Sequence, residues 1–485
     1  MKFHWLLLVF VGFGSSGFSS PPECAKKLGA TKRVGFAEWA ATPLDFAPAL
    51  LPGTPHLPVL IIGAGPGGLA AMAEFKRRGI PFVGVEAHST VGGMWAQANP
   101  ESPAYDNLIT NSSRATTHLG TPMPAEWPDY LHHTQALAYL ERFAILNGLL
   151  PHLRFSTRVR TLERGSSGSW WAVFADGVRE EFRAVVVASG KNSKSNAAIP
   201  EKLRQAAEKS RIPFIHSAEF KNAEAYRGSD VLVVGFGNSG AEIATQVSAV
   251  AAHTYLSVRS GSWVVPLYLL GIPSDAIASE GPQMPHWIER PLFQAILAFL
   301  PGYPTRFGLP APNHAVLDEL PVSDRGILRA IREKRVLVRS GLADLRDGRA
   351  VFSDAASERV DSVIFATGYG RRFPFLPSEY ADFGDPAFRM PFLVFPPETS
   401  GLFFMTVVTV PQSAWNLFTD QARAIGACLT AESRRTPNFH RFQRLRRVHP
   451  GPDLKGHLFG AADQYHVDPH LYAKRLRQLA EWLEH

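Results

Sequence analysis

The sequence predicts an α/β architecture of two like halves, each a parallel sheet between layers of helices, and two observations carry that prediction. The order buried strand, glycine-rich turn, helix occurs twice: Leu57–Gly63 leads into Gly63-Ala-Gly-Pro-Gly-Gly68, and Val231–Val234 leads into Gly235-Phe-Gly-Asn-Ser-Gly240. The later landmarks keep nearly the same offset, since Gly177 of Asp176-Gly177 follows Gly63 by 114 residues and Gly348 of Asp347-Gly348 follows Gly235 by 113. A repeat of that length describes two similar domains, not a solenoid. With 485 residues and 45% hydrophobic content, the chain has length and apolar mass for such cores.

The elements follow in order. Met1–Ser20 opens with Lys2 and His4, runs through apolar Trp5–Phe13 and ends in small residues, the pattern of a secretory signal peptide. That leader would send the chain to the secretory pathway, the endoplasmic reticulum or another organelle; without it a cytoplasmic protein is expected. Residues 21–56 hold several prolines and no period, so a linker or surface arm is expected. Residues 57–200 form the first part of domain one, with helix Leu69–Arg78, strand Phe82–Glu86, an amphipathic helix carrying Ala136, Leu137, Leu140, Phe143 and Ala144, the alternating strand Trp170–Gly177, and Val185–Ala188 running into Ser189-Gly190. Domain two is expected over 201–360, with a helical insert at 264–330 rich in Pro, Trp and Phe that would cover a cavity. Residues 361–485 return to domain one and end in helices.

Composition narrows the function. The net charge of +7 and pI near 9.4 are not gathered into a basic run, so they suit anionic small molecules rather than nucleic acid. Peripheral contact with an anionic membrane and a homodimer are both compatible with these features. Cys24 and Cys428 lie far apart with no Cys-x-x-Cys, which excludes a dithiol redox centre, and no metal-ligand spacing is present. After the N-terminal leader no segment approaches the roughly 20 apolar residues of a spanning helix; the longest, Leu292–Leu300, is far too short.

The two glycine sets are where chemistry is expected. Each follows a strand and opens a helix, the context in which such glycines give a tight turn, close approach to a pyrophosphate and close helix packing, as in a Rossmann-like dinucleotide fold. The cofactor contacts expected from them are Gly63, Gly65, Gly67 and Gly68 in one half, and Gly235, Gly237, Ser239 and Gly240 in the other. Glu86, 23 residues beyond Gly63, can accept both ribose hydroxyls at a strand end, although a solvated glutamate fits the same place. The second copy offers Arg259 there, whose guanidinium suits a 2′-phosphate, although a surface arginine is the plain alternative. FAD in the first half and NADPH in the second follow from that difference. Thr367-Gly368 ends a strand that would pass near a cofactor or simply turn. The stretch Phe418-Thr-Asp-Gln421 would open a helix over Ala422–Leu429, with Gln421 at its N-terminus facing a flavin or the helix serving only as packing.

Taken with Gly92-Gly-Met-Trp95, Thr110-Asn111-Ser-Ser-Arg114, Trp127-Pro-Asp-Tyr130, Arg259-Ser-Gly-Ser-Trp263 and Ala366-Thr-Gly-Tyr369, the glycine sets resemble the flavin-containing monooxygenases and their Baeyer-Villiger and N-hydroxylating relatives over about Val59–Leu429. The resemblance implies two Rossmann-like three-layer domains, the NADPH domain inserted into the FAD domain. It implies that Gly92, Gly93 and Trp95 lie along FAD and that Asn111 faces the reactive edge of the flavin. It implies hydride transfer from NADPH to FAD, addition of O2 at C4a, and delivery of one oxygen from the hydroperoxyflavin to a nucleophilic nitrogen or sulfur of a small molecule. Baeyer-Villiger oxygenation of a ketone, and an NADPH oxidase or redox-sensing flavoprotein, stand as alternatives. The family stretch Phe-x-Gly-x-x-x-His-x-x-x-Phe/Tyr is only partly kept: Ser210 to Phe220 retains His216 and the final aromatic, and His216 reads as structural. Asn111-Ser-Ser is also a glycosylation sequon, expected to be unmodified if that loop is covered by FAD.

Overall fold

The computed structural model describes residues 34–42, 57–280, 286–299, 303–316, 318–456 and 464–485. Contacts divide the chain into Met1–Val34, of which only Val34 is described, and Gly35–His485, to which everything below belongs. The signal peptide expected over 1–20 lies outside the described residues, as does most of the 21–56 arm. One part of that arm is corrected. Helix α1 (Phe36–Ala40) is packed rather than lying on the surface: Trp39 is fully buried, 5.2 Å from the Phe392 ring, and Phe36 lies 6.2 Å from Trp482. Two aromatic anchors in five residues are too few to register as a helical period.

The first sheet begins with β1 (Val59–Ile62), followed by α2 (Pro66–Arg78) and β2 (Phe82–Val85). After α3 (His133–Leu146) come β3 (Leu153–Arg154), an antiparallel meander of β4 (Val159–Arg164), β5 (Trp170–Phe174) and β6 (Arg179–Phe182), and β7 (Ala184–Val187). The unbroken apolar runs of β1 and β7 are buried at every residue, as parallel strands covered on both faces require.

The second half repeats this plan. It comprises α4 (Glu201–Ser210), β8 (Phe214–His216), β9 (Asp230–Val234), α5 (Asn238–Val247) and β10 (His253–Ser257). An insert follows with β11 (Val264–Pro266), the hairpin β12 (Tyr268–Leu269) and β13 (Ile272–Pro273), α6 (Ser274–Glu280), α7 (His286–Phe299) and β14 (Val322–Asp324). The half closes with α8 (Ile327–Arg332), β15 (Val336–Arg339), the meander β16 (Leu342–Arg346), β17 (Arg349–Phe352) and β18 (Ser357–Arg359), and β19 (Ser362–Phe365). Then β20 (Leu402–Phe404) precedes the terminal helices α9 (Trp415–Arg434), α10 (Pro437–Val448) and α11 (Pro469–Glu484).

The strand orders match. The first sheet runs β20-β7-β1-β2-β3 and the second β8-β19-β9-β10-β15, every pair parallel. Because β20 completes the first sheet after the whole second sheet has been traversed, the second domain is inserted into the first. Two expected boundaries move. β19 pairs with β9 and β8, so the second domain runs past 361 to the end of that strand. Its Val-Ile-Phe run would be buried in either sheet, and pairing is what decides. The insert is also mixed rather than helical, with two short strand pairs, and its expected last residues belong to α8, which lies against α5 in the second core.

Candidate functional site

The two glycine turns are built alike. Gly63 and Gly235 sit at the C-terminal ends of β1 and β9 with φ of +105° and +110°, which glycine adopts without strain. A Cβ on Gly63 would lie 2.7 Å from Ala188 O and one on Gly235 2.5 Å from Ala366 O, so the end of the neighbouring strand presses on each turn. A Cβ on Gly68 would lie 1.8 Å from Gly63 O, and one on Gly240 2.1 Å from Gly235 O. Each turn is therefore a cradle of bare backbone at the first turn of a helix, whose leading N–H groups lack intrahelical acceptors. Both cradles fit a pyrophosphate.

Their coverings differ. In the first half, Gly65 faces Gly93, with a Gly93 Cβ position 3.1 Å from Gly65 Cα, and Gly67 is packed against Thr406, whose Cγ2 would lie 2.4 Å from a Cβ there. Trp95 ends the turn begun at Gly93; its ring lies 6.0 Å from Trp415, the first residue of α9, and Trp415 lies 5.7 Å from Tyr139 of α3. Gly93, Trp95 and the start of α9 are thereby brought to the first turn. In the second half Gly237 is exposed and a Cβ there would meet nothing within 4 Å, while Ser239 replaces the packed glycine.

Glu86 continues from β2, 6% exposed, and its carboxylate accepts from Ala64 N at 2.8 Å and His88 N at 3.1 Å. It is locked onto the turn with lone pairs to spare for hydroxyl donors. The register corrects its expected counterpart. Gly63 N donates to Val85 O and Gly235 N to Ser257 O, while Glu86 N donates to Arg154 O and Val258 N to Arg339 O, so the residue equivalent to Glu86 is buried Val258. Arg259 is the next residue, exposed, with no hydrogen bond or ion pair among the described residues, its backbone packed at Gly341. The second site thus lacks the carboxylate, and a cation stands one residue outward.

Gln421 does not stand where it was expected. α9 begins at Trp415, so Gln421 is inside the helix, fully buried, with Nε2 donating to Tyr472 Oη at 2.7 Å. It ties α9 to α11, and the helix N-terminus belongs to Trp415. The early start escapes sequence inspection because Trp-Asn-Leu-Phe reads equally as loop or strand. Thr367 and Gly368 follow β19 beside the second turn, where Thr367 Oγ1 donates to Ala198 O at 2.5 Å and Gly368 is exposed. They cross the connection between the domains. His216, buried, accepts at Nδ1 from Ala218 N at 3.1 Å, and burial lowers its pKa, so it is a neutral structural imidazole.

The Asn111 loop is held by hydrogen bonds, although Asn111 itself is exposed. Thr110 N donates to Leu131 O at 2.8 Å, Thr110 Oγ1 to Ser112 O at 2.8 Å, and the Ser112 and Thr117 hydroxyls are 2.8 Å apart. The sequon asparagine is not covered by protein. Sequence reasoning passed over the groups gripping this loop, Asp275 and Arg325, and also Thr406, which holds a left-handed φ of +69° and a buried hydroxyl with no hydrogen-bond partner among the described residues, against the first turn. Only Glu242, a charge on the inward face of an amphipathic helix, left a readable signal for this network.

Residues 57–428 match the model of the flavin-binding monooxygenase-like family. The chain belongs to that family. Flavin-containing monooxygenase 5 of Homo sapiens is 30% identical over 339 residues, covering 66% of this chain and 63% of that protein, and the N-oxide-forming dimethylaniline monooxygenase 2 of Oryctolagus cuniculus is 29% identical over 361 residues, covering 70% and 66%. The chain spans less than two thirds of flavin-containing monooxygenase 5. Among solved structures, a flavin-containing monooxygenase from Stenotrophomonas maltophilia aligns over 78% of this chain and 99% of its own at TM-score 0.58 and 20% identity, and ε-caprolactone-bound cyclohexanone monooxygenase over 88% and 98% at TM-score 0.64 and 15% identity. These likenesses establish the two-domain fold. The matched family is described as flavin-binding, and two of the matched structures hold nucleotide cofactors of their own: a cyclohexanone monooxygenase mutant from Rhodococcus bound to NADP+ and OTEMO in complex with FAD and NADP. Among the described residues no helix is long and apolar enough to cross a membrane.

Proposed function

We propose that this chain is an FAD- and NADPH-dependent monooxygenase that transfers one atom of O2 to a nucleophilic nitrogen or sulfur of a small molecule, with FAD on the Gly63–Gly68 turn and NADPH on the Gly235–Gly240 turn. The observation that carries it is the pairing of like cradles with unlike strand ends: a locked carboxylate at Glu86, and buried Val258 followed by a free Arg259. Bound flavin supplies the hydride-accepting and oxygen-activating chemistry that no side chain here can provide. The protein does the rest. Glu86 accepts ribose hydroxyls and, by its charge, repels a 2′-phosphate, whereas Arg259 attracts one. The α2 and α5 N-termini hold the pyrophosphates through free N–H groups. The Asn111 amide, held by its loop, donates a hydrogen bond at the reacting centre, and the packed rings of Trp95, Trp415 and Tyr139 cover the Gly93–Trp95 segment. Nitrogen as acceptor is supported by the relative described as N-oxide-forming.

The experiment is anaerobic bleaching of the yellow protein by NADPH, followed by air and a tertiary amine, a sulfide or a ketone. Amine or sulfide oxide formed in step with NADPH consumption is expected. Asn111→Ala should keep its flavin yet release peroxide in place of product. A colourless chain that takes up no flavin and leaves NADPH untouched sinks the reading.

A further inference from the structure

One short strap, residues 321–325, joins the second glycine turn to the Asn111 loop. At its near end Asn238, an interior residue of the Gly235–Gly240 turn, donates through Nδ2 to Pro321 O at 3.2 Å and accepts at Oδ1 from Ser323 N at 2.8 Å. At its far end the Arg325 guanidinium donates through Nη1 to Ile109 O at 3.1 Å and to Glu242 Oε2 at 2.9 Å, and through Nη2 to Thr110 O. Between them Asp324 Oδ1 accepts from Gly326 N at 3.0 Å, fixing the strap to the start of α8. Glu242 lies on α5, four residues after Asn238 and on the same face, so both ends of the strap reach one helix. The Arg325 and Glu242 side chains are only 8% and 9% exposed.

A buried ion pair of this kind is costly to desolvate and adds little stability, so its worth lies in geometry. A planar fork that engages a carboxylate on one domain and two consecutive loop carbonyls on the other sets distances that a flexible or apolar contact would leave free. The far side of the loop is gripped as well. Asp275 of α6 accepts at Oδ2 from Ser113 N at 2.8 Å, Ser113 Oγ at 2.9 Å and Thr116 Oγ1 at 2.7 Å, and at Oδ1 from Tyr130 Oη at 3.2 Å. Asn111 lies between two charged clamps, both contributed by the insert.

We propose that Arg325 and Asp275 are positioning residues that together set the Asn111 backbone, and that Arg325, through Glu242 and the 321–325 strap, couples the Asn111 loop to occupancy of the second glycine turn. This rests on the reading that the turn binds NADPH and that Asn111 donates to the reacting centre. Asp275 touches the loop but not the strap. The two clamps therefore separate in experiment.

The test uses the flavin-loaded full chain as wild type, Arg325→Lys, Glu242→Gln and Asp275→Asn, substitutions that keep volume and either charge or polarity. Flavin per chain, NADP+ dissociation constant, and the fraction of NADPH electrons recovered as peroxide are measured, the last with and without excess NADP+. In wild type, added NADP+ should lower the peroxide fraction. Arg325→Lys and Glu242→Gln should keep their flavin, raise the peroxide fraction about fivefold or more, and lose the NADP+ response. Asp275→Asn should raise peroxide but keep that response, which a purely structural role for the pair would not predict. A wild type that NADPH bleaches, beside variants with the wild-type peroxide fraction and NADP+ response, overturns the coupling alone. A wild type that NADPH never bleaches overturns the function and the coupling with it.

Discussion

The two glycine turns are near copies in backbone and opposites in cover. At Gly68 and Gly240 the same close approach to the first glycine's carbonyl forbids a side chain. Yet Gly65 faces Gly93 and Gly67 is packed against Thr406, while Gly237 looks into open space and Ser239 stands in place of the packed glycine. Both turns keep the bare backbone that a pyrophosphate needs, and they differ in what packs against them. Two further segments, Gly93–Trp95 and the end of β20, press on the glycines of the first turn; the second is met by the 321–325 strap at Asn238, with Gly237 left open. The difference suits a resident cofactor on the first and an exchanging one on the second.

The comparison breaks most sharply at the cradles. Gly68→Ala should yield a chain that loses flavin on gel filtration, whereas Gly240→Ala should stay yellow and bind NADP+ on the order of 100-fold more weakly, about 2.8 kcal/mol. Loss of flavin from Gly240→Ala would show that the turns are not independent sites. The next effect is at the strand ends. Arg259→Ala should raise the NADPH KM about tenfold and leave NADH nearly unchanged, in line with a lost charge-assisted hydrogen bond; equal change for both nucleotides would remove the 2′-phosphate from its role. A smaller effect separates cover from site, since Tyr472→Phe should cost about 1 kcal/mol in urea unfolding while flavin affinity holds, because Gln421 joins two helices rather than touching a ligand. The smallest is a pH effect of the domain connection. Burial holds His216 below its ordinary pKa of 6.5, so the unfolded chain takes up the proton first. Stability present above that value is lost as pH falls below it, and His216→Asn should flatten the slope of unfolding midpoint between about pH 7 and about pH 5.5.

Glu242 shows how electrostatics and geometry combine where the halves meet. Burial pushes its carboxyl pKa up, against the pull of Arg325, and both burial and that carboxylate push the Tyr105 hydroxyl up. Such a group adds little to stability, since an apolar residue would be easier to bury, and what it supplies here is a fixed contact between Arg325 and α5.

Local pattern determined much of this protein. Strand, turn and helix recur because glycine spacing and buried apolar runs are readable along the chain, and Glu86 was legible because its strand end lies at a fixed distance from the turn. Tertiary structure alone decided what depends on pairing. Val258 rather than Arg259 matches Glu86 because hydrogen-bond register, not residue count, sets equivalence across copies. β19 joined the second sheet and β20 closed the first because a short apolar strand fits any buried edge until its neighbours are chosen. Gln421 became a helix-to-helix tie because α9 begins at Trp415, seven residues before the expected start at Ala422. Asp275 and Arg325 met the Asn111 loop across more than 150 residues, a separation over which only the folded chain brings charges together.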